Sequence, residues 1–153
     1  MRFRPVADGD IPAVAAIENA CFAEPWSEKS LSDTLHSPLA VLYCAECEVC
    51  SLSVTPAGTL AGYAGMYVTG EDAEITDVAV LPQFRRMGAA RGLLGELFSA
   101  ARERGARYLH LEVRASNEAA LALYETCGFR RDGVRKHFYK NPAEDAILMT
   151  AEL

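Results

Sequence analysis

Hydrophobic and polar residues along the chain recur with two different periods, and each period predicts one kind of element. A period of two over residues 108–114 predicts a strand with one apolar and one polar face. Its apolar positions are Leu109, Leu111 and Val113, and its polar positions are Tyr108, His110, Glu112 and Arg114. The preceding segment has the helical period of three to four and ends at Gly105. Its predicted apolar face carries Leu93, Leu94, Leu97, Phe98 and Ala101.

Strands and helices are also predicted along the rest of the chain. Strands are expected at residues 3–6, 40–44, 60–69 and 74–80, and from residues 129 and 146 onwards. Asp10 and Ser27 are predicted to cap two early helices, and Ser116 or Asn117 a helix over residues 118–126. Residues 45–54 have no clear period. This order predicts an α/β (α+β) fold in a single domain, residues 1–153, with a mixed, mostly antiparallel sheet flanked by helices.

Composition and charge narrow the class of protein. The chain has 153 residues, of which half are hydrophobic and a quarter charged, so one ordered domain is expected. A net charge of −6 argues against a nucleic-acid partner. No run approaches the ~18 apolar residues of a membrane span, and no apolar stretch follows Met1, so we expect a soluble, cytoplasmic protein. The five cysteines are an odd number and are expected to be reduced thiols.

The segment after residue 80 predicts a phosphate site. A β-branched strand leads into a short basic loop and then a helix, whose free N–H groups and dipole favour an anion. Gly88 allows close approach of the backbone, and Arg85, Arg86 and Arg91 supply positive charge. The loop matches neither the P-loop nor the dinucleotide fingerprint. A plain helix start with solvated arginines would explain the same residues.

Several segments together carry a closer likeness. They are Pro25–Glu28, Asp77–Val80 with its arginine-glycine loop, Leu111–Asn117, Ala122–Glu125 with Gly128-Phe129, and Glu144–Ile147. Over nearly its whole length the chain closely resembles the GNAT N-acetyltransferase superfamily, and within it the RimI-type ribosomal-protein alanine N-acetyltransferases. The resemblance implies acetyl-CoA as co-substrate. The implied contacts are Val78, Ala79, Val80, Arg85, Arg86, Met87, Gly88, Ala89, Ala90, Arg91 and Asn117.

One residue of the loop departs from the resemblance. Ala90 stands where many relatives have a second glycine. Alanine is small and a good helix former, so we expect at most a weaker clearance for the cofactor.

The resemblance also implies an acid and a base. Glu112 corresponds to the general base that takes a proton from the attacking amine, and Tyr124 to the general acid that meets the departing thiolate. A glutamate of ordinary pKa (~4.3) is a weak base, so a raised pKa or a bridging water is expected. By position alone, Glu112 would be a solvated strand carboxylate and Tyr124 a packing residue of its helix.

The acceptor implied by the resemblance is the N-terminal alanine of the eighteenth small-subunit ribosomal protein. Trp26 and Tyr139 are expected either to flank the incoming peptide or to pack in the core. The alternatives are an acetyltransferase for lysine or a small amine, an acetyl-CoA-binding module without turnover, and a metal-binding protein that uses Cys44, Cys47 and Cys50. We predict no metal, and the sequence leaves the oligomeric state open.

Overall fold

One twisted sheet organises the fold. A computed structural model describes residues 1–48 and 55–153. Its strands are β1 (Arg2–Pro5), β2 (Ala40–Glu46), β3 (Leu60–Thr69), β4 (Asp72–Val80), β5 (Tyr108–Arg114), β6 (Arg130–Tyr139) and β7 (Glu144–Glu152). Its helices are α1 (Ile11–Cys21), α2 (Glu28–Leu35), α3 (Ala89–Glu103) and α4 (Glu118–Thr126). The strand order is β1-β2-β3-β4-β5-β7-β6, and β4 with β5 is the parallel pair of the described sheet. The predicted fold class is confirmed.

The helix starts follow the predicted caps with one exception. The Ser27 side chain accepts a hydrogen bond from the Ser30 N–H, and Asn117 accepts one from Ala120. Asp10 precedes α1 as predicted, but its side chain does not cap that helix. A short 3-10 turn before α1 turns the Asp10 carboxylate back towards Arg4, which donates to it over 2.7 and 3.0 Å. This guanidinium lowers the pKa of Asp10.

The parallel strands β4 and β5 are paired along only part of their length. Their register runs from Asp72 opposite Tyr108 to Glu74 opposite His110. Beyond that point β4 stays paired with β3 and β5 stays paired with β7, but not with each other. The middle of the sheet is therefore split, and backbone groups on the facing edges are open to a ligand.

A β-bulge lies in β4 at the start of this split. Ile75 pairs with Met66 and Asp77 pairs with Gly65, which leaves Thr76 as the extra residue. Before the bulge, Ala73 and Ile75 pack in the core on the α3 face of the sheet. After it, Ala79 packs in the second core, which α1 and α2 cover. A strand without a bulge would keep all odd positions on one face, so the extra residue reverses the faces of the second half of β4.

The predicted apolar face of α3 forms the main core. Leu93, Leu94 and Leu97 are at most 1% exposed. Phe98 is only partly buried and packs edge-to-face on Phe129, with ring centroids 5.6 Å apart. On the other face of the sheet, the second core includes Ile17 of α1.

Gly92 lies where α3 comes closest to β1. A Cβ at this position would clash with the ring of Phe3. Alanine gains about 1 kcal/mol over glycine in a helix, but overpacking costs about 1–3 kcal/mol. We expect Gly92→Ala to lower the free energy of unfolding of the parent. In a Phe3→Ala background, the same substitution should raise this free energy by about 1 kcal/mol. Urea unfolding of the parent, the two single variants and the double variant tests this, and an effect of the same sign in both backgrounds would contradict it.

The described cysteines of the predicted trio lie on different faces of the sheet. Cys44 is buried in the core on the α1 face, whereas Cys47 packs against the α3 face. Burial raises the pKa of Cys44 to about 11. Cys50 lies outside the described residues. Among the helices within residues 1–48 and 55–153, none has the length and hydropathy to cross a membrane.

Candidate active site

Two cavities meet at the split between β4 and β5. The first has a volume of about 860 Å³ and is bordered by the loop before α3 and by α4. The second has a volume of about 650 Å³ and is bordered by the segment after α1 and by the β6–β7 connection. After the residues that the sequence predicts for each, we call them the cofactor cavity and the acceptor groove. They share the residues Cys21, Phe22, Val78, Asn117 and Tyr124.

The predicted cofactor residues come together around the cofactor cavity. Its walls include Val78, Ala79, Val80, Arg85, Arg86, Gly88, Ala89, Ala90, Arg91 and Asn117. Met87 is not among the lining residues and is 62% exposed. Because β5 is not paired with β4 here, the edge of β4 at residues 78–80 faces this cavity.

The loop before α3 has the backbone shape of an anion site. Gly88 is the N-cap residue and has φ +83°, a left-handed conformation that favours glycine. The first described helical bond of α3 joins the Gly92 N–H to the Gly88 carbonyl. The N–H groups of Ala89, Ala90 and Arg91 precede it and have no carbonyl in the helix, so they can donate to a bound anion.

Arg85 of the loop and Arg91 of the first turn of α3 are held in place by the protein. Arg85 Nε donates to the Val80 carbonyl over 3.0 Å, and Arg91 Nη2 donates to the Thr126 hydroxyl over 3.2 Å. A guanidinium has five N–H donors, so each arginine keeps donors for a phosphate. The first bond fixes the loop to the end of β4, and the second fixes the first turn of α3 to α4.

The acceptor groove contains the remaining predicted site residues. Glu112, Tyr124, Trp26 and Tyr139 all line it. Trp26 is only partly buried against the second core. Across the rim of the groove, the Asn141 amide donates to Glu24 over 3.0 Å and connects the segment after α1 with the β6–β7 connection.

Glu112 is placed on β5 with its side chain only 16% exposed. Burial raises the pKa of this carboxyl, while the Arg135 guanidinium, 3.0 Å from Oε1, acts in the opposite direction. The net direction is upward, as a general base requires. The pairing with Arg135 was not predicted, because β6 has no sequence pattern that specifies its neighbours.

Tyr124 lies where the two cavities meet. It is 8% exposed, and its ring packs edge-to-face on Phe129 with centroids 5.7 Å apart. Burial raises its pKa to about 12. The hydroxyl therefore stays protonated at neutral pH and can donate a hydrogen bond to a group at the junction.

Three functional candidates were missed in the sequence. Glu18 of α1 is fully buried, and its carboxylate accepts hydrogen bonds from the Tyr63 hydroxyl and from the Trp26 N–H. The Tyr63 hydroxyl also lies beside Asp77 of β4. Burial, together with the charge of Glu18, raises the pKa of Asp77 to about 7. A signal was present, since Glu18 interrupts the apolar face that includes Val14 and Ile17.

Comparisons with known proteins show the family of the chain. The family model of the acetyltransferase (GNAT) family matches residues 11–129. A [ribosomal protein bS18]-alanine N-acetyltransferase of Escherichia coli K12 is 36% identical over 92% of this chain and 89% of its own. The corresponding enzyme of Salmonella typhimurium is 37% identical over the same shares. The crystal structure of the ribosomal-protein-S18-alanine N-acetyltransferase of E. coli superposes with a TM-score of 0.84 at 33% identity, and covers 99% of this chain and 92% of that one.

Proposed function

The chain belongs to the acetyltransferase (GNAT) family, and from this premise we propose that it acetylates the N-terminal α-amino group of a protein by direct attack on acetyl-CoA in a ternary complex. The acceptor is the N-terminal alanine of ribosomal protein bS18, the substrate in the names of its relatives. The observation that carries the proposal is the junction of the two cavities. Tyr124 lines both of them, whereas Glu112 lines only the acceptor groove.

Acetyl-CoA occupies the cofactor cavity in this proposal. Its pyrophosphate binds the free N–H groups of Ala89, Ala90 and Arg91 at the start of α3. Its pantetheine arm lies along the open edge of β4 at residues 78–80. The thioester then reaches the junction with the acceptor groove, where Asn117 and Tyr124 lie.

The reaction removes two protons from the α-ammonium group and supplies one to the leaving thiolate. Glu112 takes the first proton, and the freed nitrogen lone pair forms a bond to the thioester carbonyl carbon. The nitrogen loses its second proton to water as the tetrahedral intermediate collapses and the carbon–sulfur bond breaks. Tyr124 donates to the departing thiolate, and its proton is recovered from the medium after CoA leaves.

The raised pKa of Tyr124 affects this last step. The conjugate acid of a free thiolate has a pKa of ~8.5, so such a thiolate would be too weak a base to take the proton of a hydroxyl whose pKa is about 12. Burial, however, raises the pKa of a thiolate in the same way as that of a phenolate, so both groups are shifted in the same direction at the junction. Tyr124 therefore acts first as a hydrogen-bond donor that stabilises the developing negative charge.

An α-amino acceptor suits a modest base. At pH 7 roughly a tenth to a fifth of α-amino groups are already neutral (pKa ~7.7–8.0), whereas only about one lysine in 2,500 is neutral. The acetylation of a lysine would need a stronger base than a glutamate whose charge is partly balanced by Arg135.

Two matched peptides test the proposed function. One has a free N-terminal alanine and no lysine, and the other has the same sequence with a blocked N-terminus and one lysine. We expect the release of CoA from acetyl-CoA with the first peptide, with the added mass on its N-terminal residue, and none above background with the second. Transfer to the lysine peptide alone would overturn the proposal. Tight binding of acetyl-CoA without transfer to either peptide would favour a module without turnover.

A further inference from the structure

We propose that Asp77 is the residue that recognises the protonated α-amino group of the acceptor before it is deprotonated. The inference rests on the function proposed above, because it assigns a role within the same acceptor groove. Asp77 lines this groove together with Glu112 and Tyr124. The two carboxylates come from the two strands that separate at the split, β4 and β5.

The bulge at Thr76 is what directs Asp77 to this place. Without the extra residue, position 77 would share the α3 face with Ala73 and Ile75. With it, Asp77 faces the α1 side, where Tyr63 and Glu18 lie. β-Bulges often redirect a side chain beside an active site, and this bulge begins where β4 leaves β5.

The carboxylates of the groove differ in what already balances their charge. Glu112 pairs with the Arg135 guanidinium at 3.0 Å. Glu18 accepts two hydrogen bonds, from the Tyr63 hydroxyl and from the Trp26 N–H. In the described part of the chain, no lysine or arginine forms an ion pair with Asp77.

The hydroxyl of Tyr63 cannot supply both acidic neighbours. It carries one proton, and that proton is donated to Glu18. Asp77 and Glu18 therefore compete for it, and the stabilisation that ionised Asp77 receives from the Tyr63 and Thr76 hydroxyls is smaller than the opposing effect of its burial and of the Glu18 charge. A partly buried carboxylate in this position favours a cation from outside the protein, and the N-terminal ammonium group of a peptide is such a cation.

The affinity for a peptide should then depend on pH at two points. The pKa of Asp77 is about 7, and an α-ammonium group titrates at ~7.7–8.0. The ion pair between Asp77 and the ammonium group is therefore strongest between these two pKa values. Asp77 is neutralised by a proton at lower pH, and the ammonium group loses its proton at higher pH. The other titratable or charged groups around the groove are Glu18 and Cys21 of α1, Glu24 after α1, Tyr63 of β3, Glu112 and Arg114 of β5, Tyr124 of α4, and Tyr139 and Lys140 near the β6–β7 connection.

The single tryptophan of the chain provides a direct measurement, because Trp26 lines the groove. Trp26 fluorescence is titrated with a peptide that has a free N-terminal alanine and with the same peptide N-acetylated, in the presence of CoA. At pH 7.5 we expect Asp77→Asn to lower the affinity for the free-amine peptide by about tenfold or more and to leave the affinity for the acetylated peptide unchanged. Asp72→Asn makes the same change on β4 outside both cavities and should match the parent.

The experiment separates this inference from the proposed function, because binding is measured without turnover. Equal affinity of the parent and Asp77→Asn for the free-amine peptide would overturn the role of Asp77, whether or not acetyl transfer occurs. Retained CoA affinity shows that the variant is folded. If the variant does not fold, the parent alone decides: its preference for the free-amine peptide must fall as the pH drops through about 7, and a constant preference overturns the inference.

Discussion

Replacement of Tyr124 by phenylalanine is expected to lower kcat by about 10²–10⁴-fold. Phenylalanine keeps the packing of the ring on Phe129 and removes only the hydroxyl at the junction of the two cavities. The substitution leaves the developing thiolate without the hydrogen bond of this buried hydroxyl. Steady-state acetyl transfer to the peptide with the free N-terminal alanine measures the effect.

A matched variant shows whether the effect belongs to the junction. Tyr108→Phe removes a tyrosine hydroxyl from β5 outside both cavities, and we expect parent-like kcat. CoA affinity, measured by calorimetry, should be unchanged in both variants. Since the pKa of Tyr124 is about 12, the parent should also show no loss of kcat from its ionisation up to pH 9. Full activity of Tyr124→Phe would remove this tyrosine from the mechanism.

Substitution of Glu112 by glutamine is expected to lower kcat by a similar factor, about 10²–10⁴-fold. The amide has nearly the same shape but cannot accept a proton from the attacking amine. In the parent, kcat should fall at acidic pH as Glu112 is protonated, in a range above the ordinary glutamate pKa because burial raises it. The variant should lack this acid limb, and a pH profile that matches the parent would reject Glu112 as the base.

Arg135 offers a second arm of the same experiment. Its guanidinium stabilises the ionised form of Glu112, so Arg135→Gln should raise the Glu112 pKa further and move the acid limb to higher pH. Glu152→Gln, at the end of β7 and outside both cavities, is the control for the negative charge lost in Glu112→Gln. Arg130→Gln, on β6 and outside both cavities, is the control for the positive charge lost in Arg135→Gln. If the acid limb does not move in Arg135→Gln, the ion pair does not influence the pKa of the base.

The elements that were predicted well are those specified by neighbouring residues. The strand Tyr108–Arg114 and the buried face of α3 follow from periods of two and of three to four. The Ser27 and Asn117 caps are bonds between residues three apart in the chain. Asp10 shows the limit of this prediction. Its carboxylate could cap the helix or pair with Arg4, and the 3-10 turn before α1 places it beside the arginine.

The candidate site was predictable where one segment builds it. The strand, the loop and the start of α3 are continuous in sequence, so the glycine at the start of the helix and the free N–H groups after it could be expected from the sequence. The pairing of Glu112 with Arg135 and the grouping of Glu18, Tyr63 and Asp77 could not. These contacts join residues far apart in the chain, and no local period specifies them.

The sequence by itself therefore determined the family, the order of the elements and the strand–loop–helix segment that we propose as the anion site, because each depends on local propensity, local backbone conformation or a continuous motif. Only the tertiary structure decided the protonation chemistry of the site. The pKa of a carboxyl depends on its burial and on the charges that packing places beside it. One extra residue at Thr76 turned Asp77 from the α3 face to the acceptor groove, and that change is visible only when β3 and β4 are paired.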